Sequence, residues 1–436
     1  MEHRKNSFQR RADVEAQSES TPLLNGGSAR ADPGESQATL WGDDDPRPWA
    51  SYPKTALHLT WKVLASNYVN VLLVFVPAGI ICGILKLDPT VVFAVNFIAI
   101  IPLAALLSFA TEELSASVGQ TIGGLLNASF GNAVELIVSI FALLRGEIRI
   151  VQASMLGSIL SNVLLVLGCC FVSAGFRGGQ QDFNATAATT LGSLLAVSSA
   201  SLVIPAALAA SITKSSVSSI DAILVISRGT SIILLILYGL YLLFQLKTHK
   251  DIFDGEQEVE NEEERTLKPI PAVVTLLLIT ILVSFCADYL VDSIDDVVSS
   301  TGMSRTFIGL ILLPIVGNAA EHVTAAVVAY KGKMDLAIGV AIGSSLQIAI
   351  FVTPFLVILG WIIGQDMTLN FHGFETVVFF ISILVVNYLI QDGKSNYLEG
   401  AMCIGTYAII AIAFFVYPDD SNDIGSVVKR FFDPRA

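Results

Sequence analysis

Apolar residues in this chain come in runs long enough to cross a bilayer, divided by short connections rich in Gly, Pro, Asp, Lys or Arg. A spanning helix needs about 20 mostly apolar residues, and about eleven stretches meet that length. They cover 68–86, 90–111, 120–144, 150–174, 187–212, 219–246, 270–292, 303–330, 335–364, 373–391 and 397–417. The pattern predicts an all-α polytopic membrane protein with no room for a large soluble domain. Its expected divisions are a disordered tail (1–60), an extra first transmembrane helix (61–88), a five-helix repeat (89–247), an acidic cytosolic linker or helix (248–269), a second five-helix repeat (270–417) and a C-terminal tail (418–436).

The runs repeat. Gly131-Asn132-Ala133-Val134-Glu135 returns 186 residues later as Gly317-Asn318-Ala319-Ala320-Glu321. At the same offset Gly146 matches Gly332, Gly157-Ser158 matches Gly343-Ser344, and Leu160 matches Leu346. Earlier in each half Ser108-Phe109 matches Ser284-Phe285 at offset 176, which sets Glu112 against Asp288. If the first run is extra, each half has five spans. An odd number places the halves in opposite orientations, the inverted-repeat architecture of secondary transporters with a site at the midplane. Placing the N-terminus in the cytosol gives a mild positive-inside bias: Lys247, Lys250, Arg265, Lys268, Lys331 and Lys333 on that side against Lys86, Arg145, Arg149, Lys214 and Arg305 on the other.

Composition agrees. Of 436 residues 53% are hydrophobic and only 14% charged, against roughly 25% charged in soluble domains. The net charge of −13 is concentrated in one acidic run and argues against nucleic acid as a partner. That run carries Glu258, Glu260, Glu262, Glu263 and Glu264. It is either a solvated linker between the halves or a short helix that senses a cation. Five cysteines, all inside apolar runs, lack disulfide or metal-ligand spacing and read as buried side chains. The first apolar run begins too late for a signal peptide. Within the tail, Glu19 through Leu23-Leu24 fits an acidic dileucine pattern of the kind read by sorting adaptors.

The candidate chemistry lies at the repeated motifs. A carboxylate in the bilayer core costs at least about 2.5 kcal/mol and is a functional hypothesis by default. Residues three or four apart share a helix face. Asn132, Glu135 and Ser139 therefore form one stripe, and Asn318 and Glu321 another, with Ala325 in place of the serine. Ser158 and Ser161 on the next span match Ser344 and Gln347, while Asn162 is rotated by about 100°. Two carboxylates among amide and hydroxyl oxygens suit a hard cation such as Ca²⁺; soft metals prefer Cys, Met or several His. Gly131 and Gly317 allow the backbone to come close or unwind, freeing carbonyls as further ligands. Desolvation and mutual repulsion oppose leaving both carboxylates ionised in an empty site, so protons and a divalent cation compete for it. The plain alternative is a pair of interhelical hydrogen bonds worth about 0.6 kcal/mol each; two matched copies disfavour it. His322 is a proton relay, a selectivity determinant or a packed polar side chain. Asp221 and Arg228 are spaced for an ion pair along one face. Glu112, Glu113 and Asp288, with Asp292, Asp295 and Asp296, suggest acidic vestibules that attract cations.

Gly-Asn-Ala-Val-Glu (131–135), Gly-Asn-Ala-Ala-Glu-His (317–322), Gly-Ser-Ile-Leu-Ser-Asn (157–162) and Gly-Ser-Ser-Leu-Gln (343–347) resemble the paired repeats of Ca²⁺/H⁺ exchangers, the CAX branch of the calcium/cation antiporters, with the closest likeness to fungal vacuolar exchangers. The resemblance spans roughly residues 60–417. It implies an antiporter without a cofactor that moves Ca²⁺ from the cytosol into an acidic vacuole in exchange for protons. Glu135 and Glu321 would bind the metal and protons alternately, with Asn132, Asn318, Ser158, Ser161, Ser344 and Gln347 as supporting ligands. It further implies that the acidic run (Glu258, Glu262, Glu263) forms a regulatory helix near Glu112 or Glu113. Relatives that exchange Na⁺ tend to carry acids where Ser161 and Gln347 stand. A Na⁺- or K⁺-coupled exchanger, a Mn²⁺/H⁺ antiporter and a passive channel are the competing readings. An intramembrane enzyme has no serine elbow, paired-His motif or phosphorylation domain to support it. A homo-oligomer in the bilayer is compatible with the sequence.

Overall fold

Two long apolar runs do not fold as continuous helices, and the reason is local. At Asn132 (φ −101°, ψ 32°) and Asn318 (φ −95°, ψ 6°) the backbone leaves the helical region, each time directly after a glycine. The breaks are repeat mates. The second bends its span by 56°. Irregular backbone at this depth is tolerated where protein rather than lipid surrounds it, and both asparagines are buried.

The computed structural model describes residues 68–118, 120–211, 217–249 and 269–417, all within one compact unit, 56–436. A 3₁₀ stretch, Tyr68–Val74, leads into α1 (Phe75–Ile84). The first half continues with α2 (Pro89–Ser117), α3 (Gln120–Phe130), α4 (Ala133–Leu144), α5 (Ile148–Gly175), α6 (Ala185–Ser211) and α7 (Val217–Leu243). The second half is α8 (Pro269–Asp292), α9 (Ile294–Thr301), α10 (Arg305–Gly317), α11 (Ala319–Tyr330), α12 (Met334–Ile363), α13 (Gly373–Leu389) and α14 (Tyr397–Val416). Two-residue strands β1 (Gln181–Asp182) and β2 (Lys394–Ser395) pair antiparallel between the halves.

Among the described residues seven helices are long and apolar enough to span a membrane, and the bent pair α10 and α11 makes eight. The other three expected spans fall on shorter apolar helices: Tyr68–Ile84, Ala133–Leu144 with α3 ahead of it, and Gly373–Leu389. The dileucine pattern at Leu23-Leu24 and the acidic run with Glu258, Glu262 and Glu263 lie outside the described residues.

Helix α5 forms the centre. Residues 150–164 are buried without exception, so the usual split into a buried and an exposed face is absent, and the polar side chains Gln152, Ser154, Ser158, Ser161 and Asn162 are enclosed with the apolar ones. Its mate α12 is nearly as enclosed. Both widen into π turns at matching places, Ser161–Val166 and Ile348–Val352. Such turns inside helices often mark functional sites. The peripheral helices are apolar on the outside: Ile270, Val274, Leu277, Ile281 and Phe285 of α8 are exposed, as lipid contact requires.

Candidate ion-binding site

Each helix break starts a new helix, and each new helix carries a glutamate in its first turn: Glu135 on α4, Glu321 on α11. Unpaired amides and the positive end of the helix dipole favour a carboxylate there. The two glutamates come from different halves but meet at one place. Gly317 makes this possible, because a Cβ there would lie 2.8 Å from Glu135 Oε1.

Around Glu321 the polar groups satisfy one another. Asn132 Nδ2 donates to Gln347 Oε1 at 3.0 Å, and Ser344 Oγ donates to Asn132 Oδ1 at 2.8 Å. Asn162 Nδ2 donates to Ser344 Oγ at 3.1 Å, and Glu321 Oε2 lies 3.2 Å from the same hydroxyl. A hydroxyl has one proton to give and two lone pairs. Ser344 accepts from Asn162 and has two acceptors, Asn132 Oδ1 and Glu321 Oε2, for its single proton. When the hydroxyl donates to Asn132, a proton on Glu321 would complete the remaining contact. Ser161 Oγ sits 3.2 Å from His322 Nε2.

The other half of the cluster is unsatisfied. Glu135 Oε1, Ser139 Oγ, Ser158 Oγ and both amide atoms of Asn318 are buried with no hydrogen-bond partner. Each such atom costs about 1–3 kcal/mol. They form an oxygen-rich group that a hard cation or water would complete. A cavity of about 10 Å³, room for one water, touches Glu135 and Ser154 between Phe97, Leu290 and Leu313. Among the described residues no group of three His, Cys, Asp or Glu could hold a metal. Two carboxylates plus amide, hydroxyl and backbone oxygens are therefore the available donor set.

The structure thus links Asn132, Gln347, Ser344 and Glu321 through hydrogen bonds, sets Gly317 against Glu135 and Gly131 near Gln347, and pairs Ser161 with His322; Ser158 and Asn318 are buried without hydrogen bonds to this group. It also corrects several expectations. Asn162 was expected to point away, but lies in the π turn that begins at Ser161 and bonds to Ser344. Ser154 was missed; its spacing of four from Ser158, one helical turn, was the available signal. Arg228 pairs with Asp366 at 3.5 Å and lies 4.9 Å over the Trp361 ring, so it serves α12 rather than Asp221. The vestibule formed by the aspartates is in large part neutralised. Arg145 binds Asp288 (2.7 Å) and Asp292, while Arg305 binds Asp295 (Nε–Oδ1 3.0 Å). A buried pair, also missed, joins Arg149 to Glu375 at 3.0 Å, with Thr306 accepting from Arg149 at 3.1 Å. Glu112 ends α2 and accepts from Ser108 Oγ at 2.9 Å.

The two halves are not in the same conformation. Helix α10 is seated on α5: a Cβ on Gly157 would collide with the Leu310 backbone, its Cα and carbonyl carbon only 2.7 Å away. The mate of Gly157, Gly343 on α12, has nothing within 4 Å among the described residues. Helix α3, the mate of α10, leans instead on Ser115 and Leu246 through Gly123 and Gly124. The end where α10 is seated on α5 is thus packed shut, and we read the opposite end, at Gly343, as the open one.

The sodium/calcium exchanger protein model matches residues 88–247 and 271–416, the two halves just described. The chain belongs to the sodium/calcium exchanger family. It is 55% identical over 361 residues to a vacuolar calcium ion transporter of Schizosaccharomyces pombe, covering 83% of this chain and 87% of that one. It is 41% identical to a Ca²⁺/H⁺ antiporter of Aphanothece halophytica, over 80% of this chain and 96% of that one. Among solved structures, native YfkE superposes with a TM-score of 0.70 at 37% identity, covering 80% of this chain and all of YfkE. As an exchanger-family protein the chain is a transporter, not an enzyme, and the resemblance seen in its motifs is borne out. The family match begins at residue 88, so α1 precedes the duplicated unit.

Proposed function

We propose that this chain exchanges cytosolic Ca²⁺ for lumenal protons across a vacuolar membrane, loading Ca²⁺ into an acidic compartment. The observation that carries the reading is the divided site. On one side Glu321 and Asn132 share the single proton of the Ser344 hydroxyl, which leaves a place for a second proton on the carboxylate. On the other, Glu135, Ser158 and Asn318 present buried oxygens without partners. Such a site takes either protons or a hard cation. The names of the similar vacuolar calcium ion transporter and Ca²⁺/H⁺ antiporter support Ca²⁺ and H⁺ as the pair and the vacuole as the place.

In this mechanism Ca²⁺ reaches the two carboxylates from the open end and displaces their protons. Asn132, Asn318, Ser158, Ser344 and Gln347 position or ligate it, Ser161 holds His322, and Gly131 and Gly317 let the opposing groups approach. The molecule then closes around either cation or protons, because a bare pair of buried carboxylates is too costly to enclose. The N-terminus and the open end face the cytosol. The acidic run (Glu258, Glu262, Glu263), with Glu112 or Glu113, forms a regulatory Ca²⁺ site there. A pH difference of two units supplies about 2.7 kcal/mol per proton, so strong accumulation of a divalent ion needs more than one proton per cycle.

The test is radioactive Ca²⁺ uptake into sealed acid-inside vesicles, with and without a protonophore. The reading predicts uptake that stops when the pH gradient collapses. Uptake driven instead by a sodium gradient would establish the competing sodium-coupled reading, favoured against here by Ser161 and Gln347 standing where an acid would be expected.

A further inference from the structure

The closed end is held in part by Arg145, and the repeat says what should hold the other end. Arg145 directly follows α4 and binds Asp288 and Asp292 on α8, so the contact joins the two halves. The repeat mate of Arg145 is Lys331, and the mate of Asp288 is Glu112. The backbone confirms the first equivalence. Lys331 directly follows α11, both residues cap their helices in the helical region, and both precede a glycine in the left-handed region, Gly146 at φ 78° and Gly332 at φ 84°. The packing is also mirrored: α4 lies against α8, and α11 lies against α2, which Glu112 ends.

The charges are complementary in both places, a base after the broken span and an acid at the end of the helix beside it. In this structure only one of the two contacts is made between those mates. Lys331 is exposed and has no ion pair among the described residues, and Glu112 accepts from Ser108 on its own helix. The end that carries them is the one where α3 stands away from Gly343. Inverted repeats alternate by exchanging conformations between halves.

We propose that Glu112 and Lys331 form the ion pair that closes this second end, as Arg145 and Asp288 close the first. The second clasp is the weaker. Arg145 engages two aspartates, whereas the mate of Asp292 is Ala116, and lysine lacks the planar fork of arginine. That difference favours the conformation seen here, with the Arg145 end shut. The inference adds to the exchange reading two gating residues outside the transport site, which leaves Glu113 as the partner of the acidic run, and it rests on that reading.

The experiment is proton-driven Ca²⁺ uptake by the full chain in vesicles, comparing Glu112→Lys, Lys331→Glu and the double exchange. Each single variant places like charges together and should lower kcat about two- to fivefold, the range of an exposed pair. The double variant should return to within about twofold of the unmutated chain. Singles at full turnover, or a double variant no faster than the slower single, would overturn the proposal. In case charge reversal impairs folding, Glu112→Cys with Lys331→Cys is treated with a bifunctional thiol reagent spanning about 8 Å, the scale of a lysine–glutamate pair. Cross-linking should arrest uptake, with the single-cysteine proteins unaffected. Absence of a cross-link under transport conditions, or uptake continuing once it has formed, contradicts the pair. If the unmutated chain shows no proton-driven uptake, it is the exchange reading that fails, before the clasp is reached.

Discussion

Gly157 and Gly343 occupy the same position in the two repeats but stand in opposite environments. In a helix interior, Gly→Ala ordinarily stabilises by about 1 kcal/mol through backbone entropy. At Gly343 nothing among the described residues lies within 4 Å of the new methyl, so that gain should appear in full for this conformation. At Gly157 the methyl would meet the Leu310 backbone, with Cα and carbonyl carbon at 2.7 Å. Backbone cannot rotate aside as a side chain can, so α10 must move outward by about 1 Å. Overpacking of this kind costs about 1–3 kcal/mol, which cancels the gain or reverses it. The backbone gain is common to both sites, so the two substitutions should differ by the overpacking cost, about 1–3 kcal/mol, in this conformation. Thermal unfolding of the purified protein in detergent, without Ca²⁺, reads the difference: Gly343→Ala at or above the unmutated Tm, Gly157→Ala several degrees below. Transport should separate from stability. Gly343→Ala is expected to slow exchange despite its higher Tm, because the opposite conformation seats α3 on α12 as α10 is seated on α5 here. Equal Tm values, or Gly343→Ala below Gly157→Ala, would refute the asymmetry between the halves.

Three further outcomes are expected. Glu135→Gln and Glu321→Gln should each abolish proton-driven Ca²⁺ uptake while the protein still reaches the membrane; near-normal uptake in either removes that residue from the site. Glu375→Ala takes the carboxylate away from the largely buried Arg149 guanidinium, which keeps Thr306 among its partners. Arg149 retains some exposure, so the loss should be near the lower end of the 3–5 kcal/mol typical of a broken buried pair, about 3 kcal/mol, and an unchanged Tm would contradict that. Glu147, in the turn between α4 and α5, is held above the usual carboxylate range by burial and by Asp295, with Arg305 opposing. Its raised pKa means that its contribution to stability is complete at acid pH and is lost as the pH rises through the folded value. Glu147→Gln should accordingly raise Tm at neutral pH and lose that advantage on acidification; a gain that does not change with pH would argue against it.

Much of the fold was legible because its signals are local or periodic. Apolar length marks a span, and an undisturbed offset of 186 residues links Glu135 to Glu321 whatever the fold between them. The helix breaks were half legible: glycine at 131 and 317 permits unwinding, but only the backbone at Asn132 and Asn318 shows where it happens. Side-chain direction was less accessible. Assuming regular helix turned Asn162 away from the site, and one π turn returns it. Long-range pairing was least accessible. Asp221 and Arg228 are well spaced on one helix, yet the guanidinium gains an aromatic face from α12 and a carboxylate, Asp366, from the turn just after it. A group of aspartates reads as a negative field until the arginines that neutralise it, Arg145 and Arg305, are placed beside it. Asymmetry between the halves leaves only a faint trace in the sequence, Lys331 and Ala116 standing where the other half has Arg145 and Asp292.

The central claim, that one pair of carboxylates holds either protons or Ca²⁺, is tested most directly by proton release. Ca²⁺ is added to the purified, weakly buffered protein at neutral pH, and the protons liberated are counted with a pH-sensitive dye against Ca²⁺ bound. The account predicts at least one proton released per Ca²⁺, and none from the protein carrying both Glu135→Gln and Glu321→Gln. Stoichiometric Ca²⁺ binding without proton release, or unchanged release from the double variant, would contradict it.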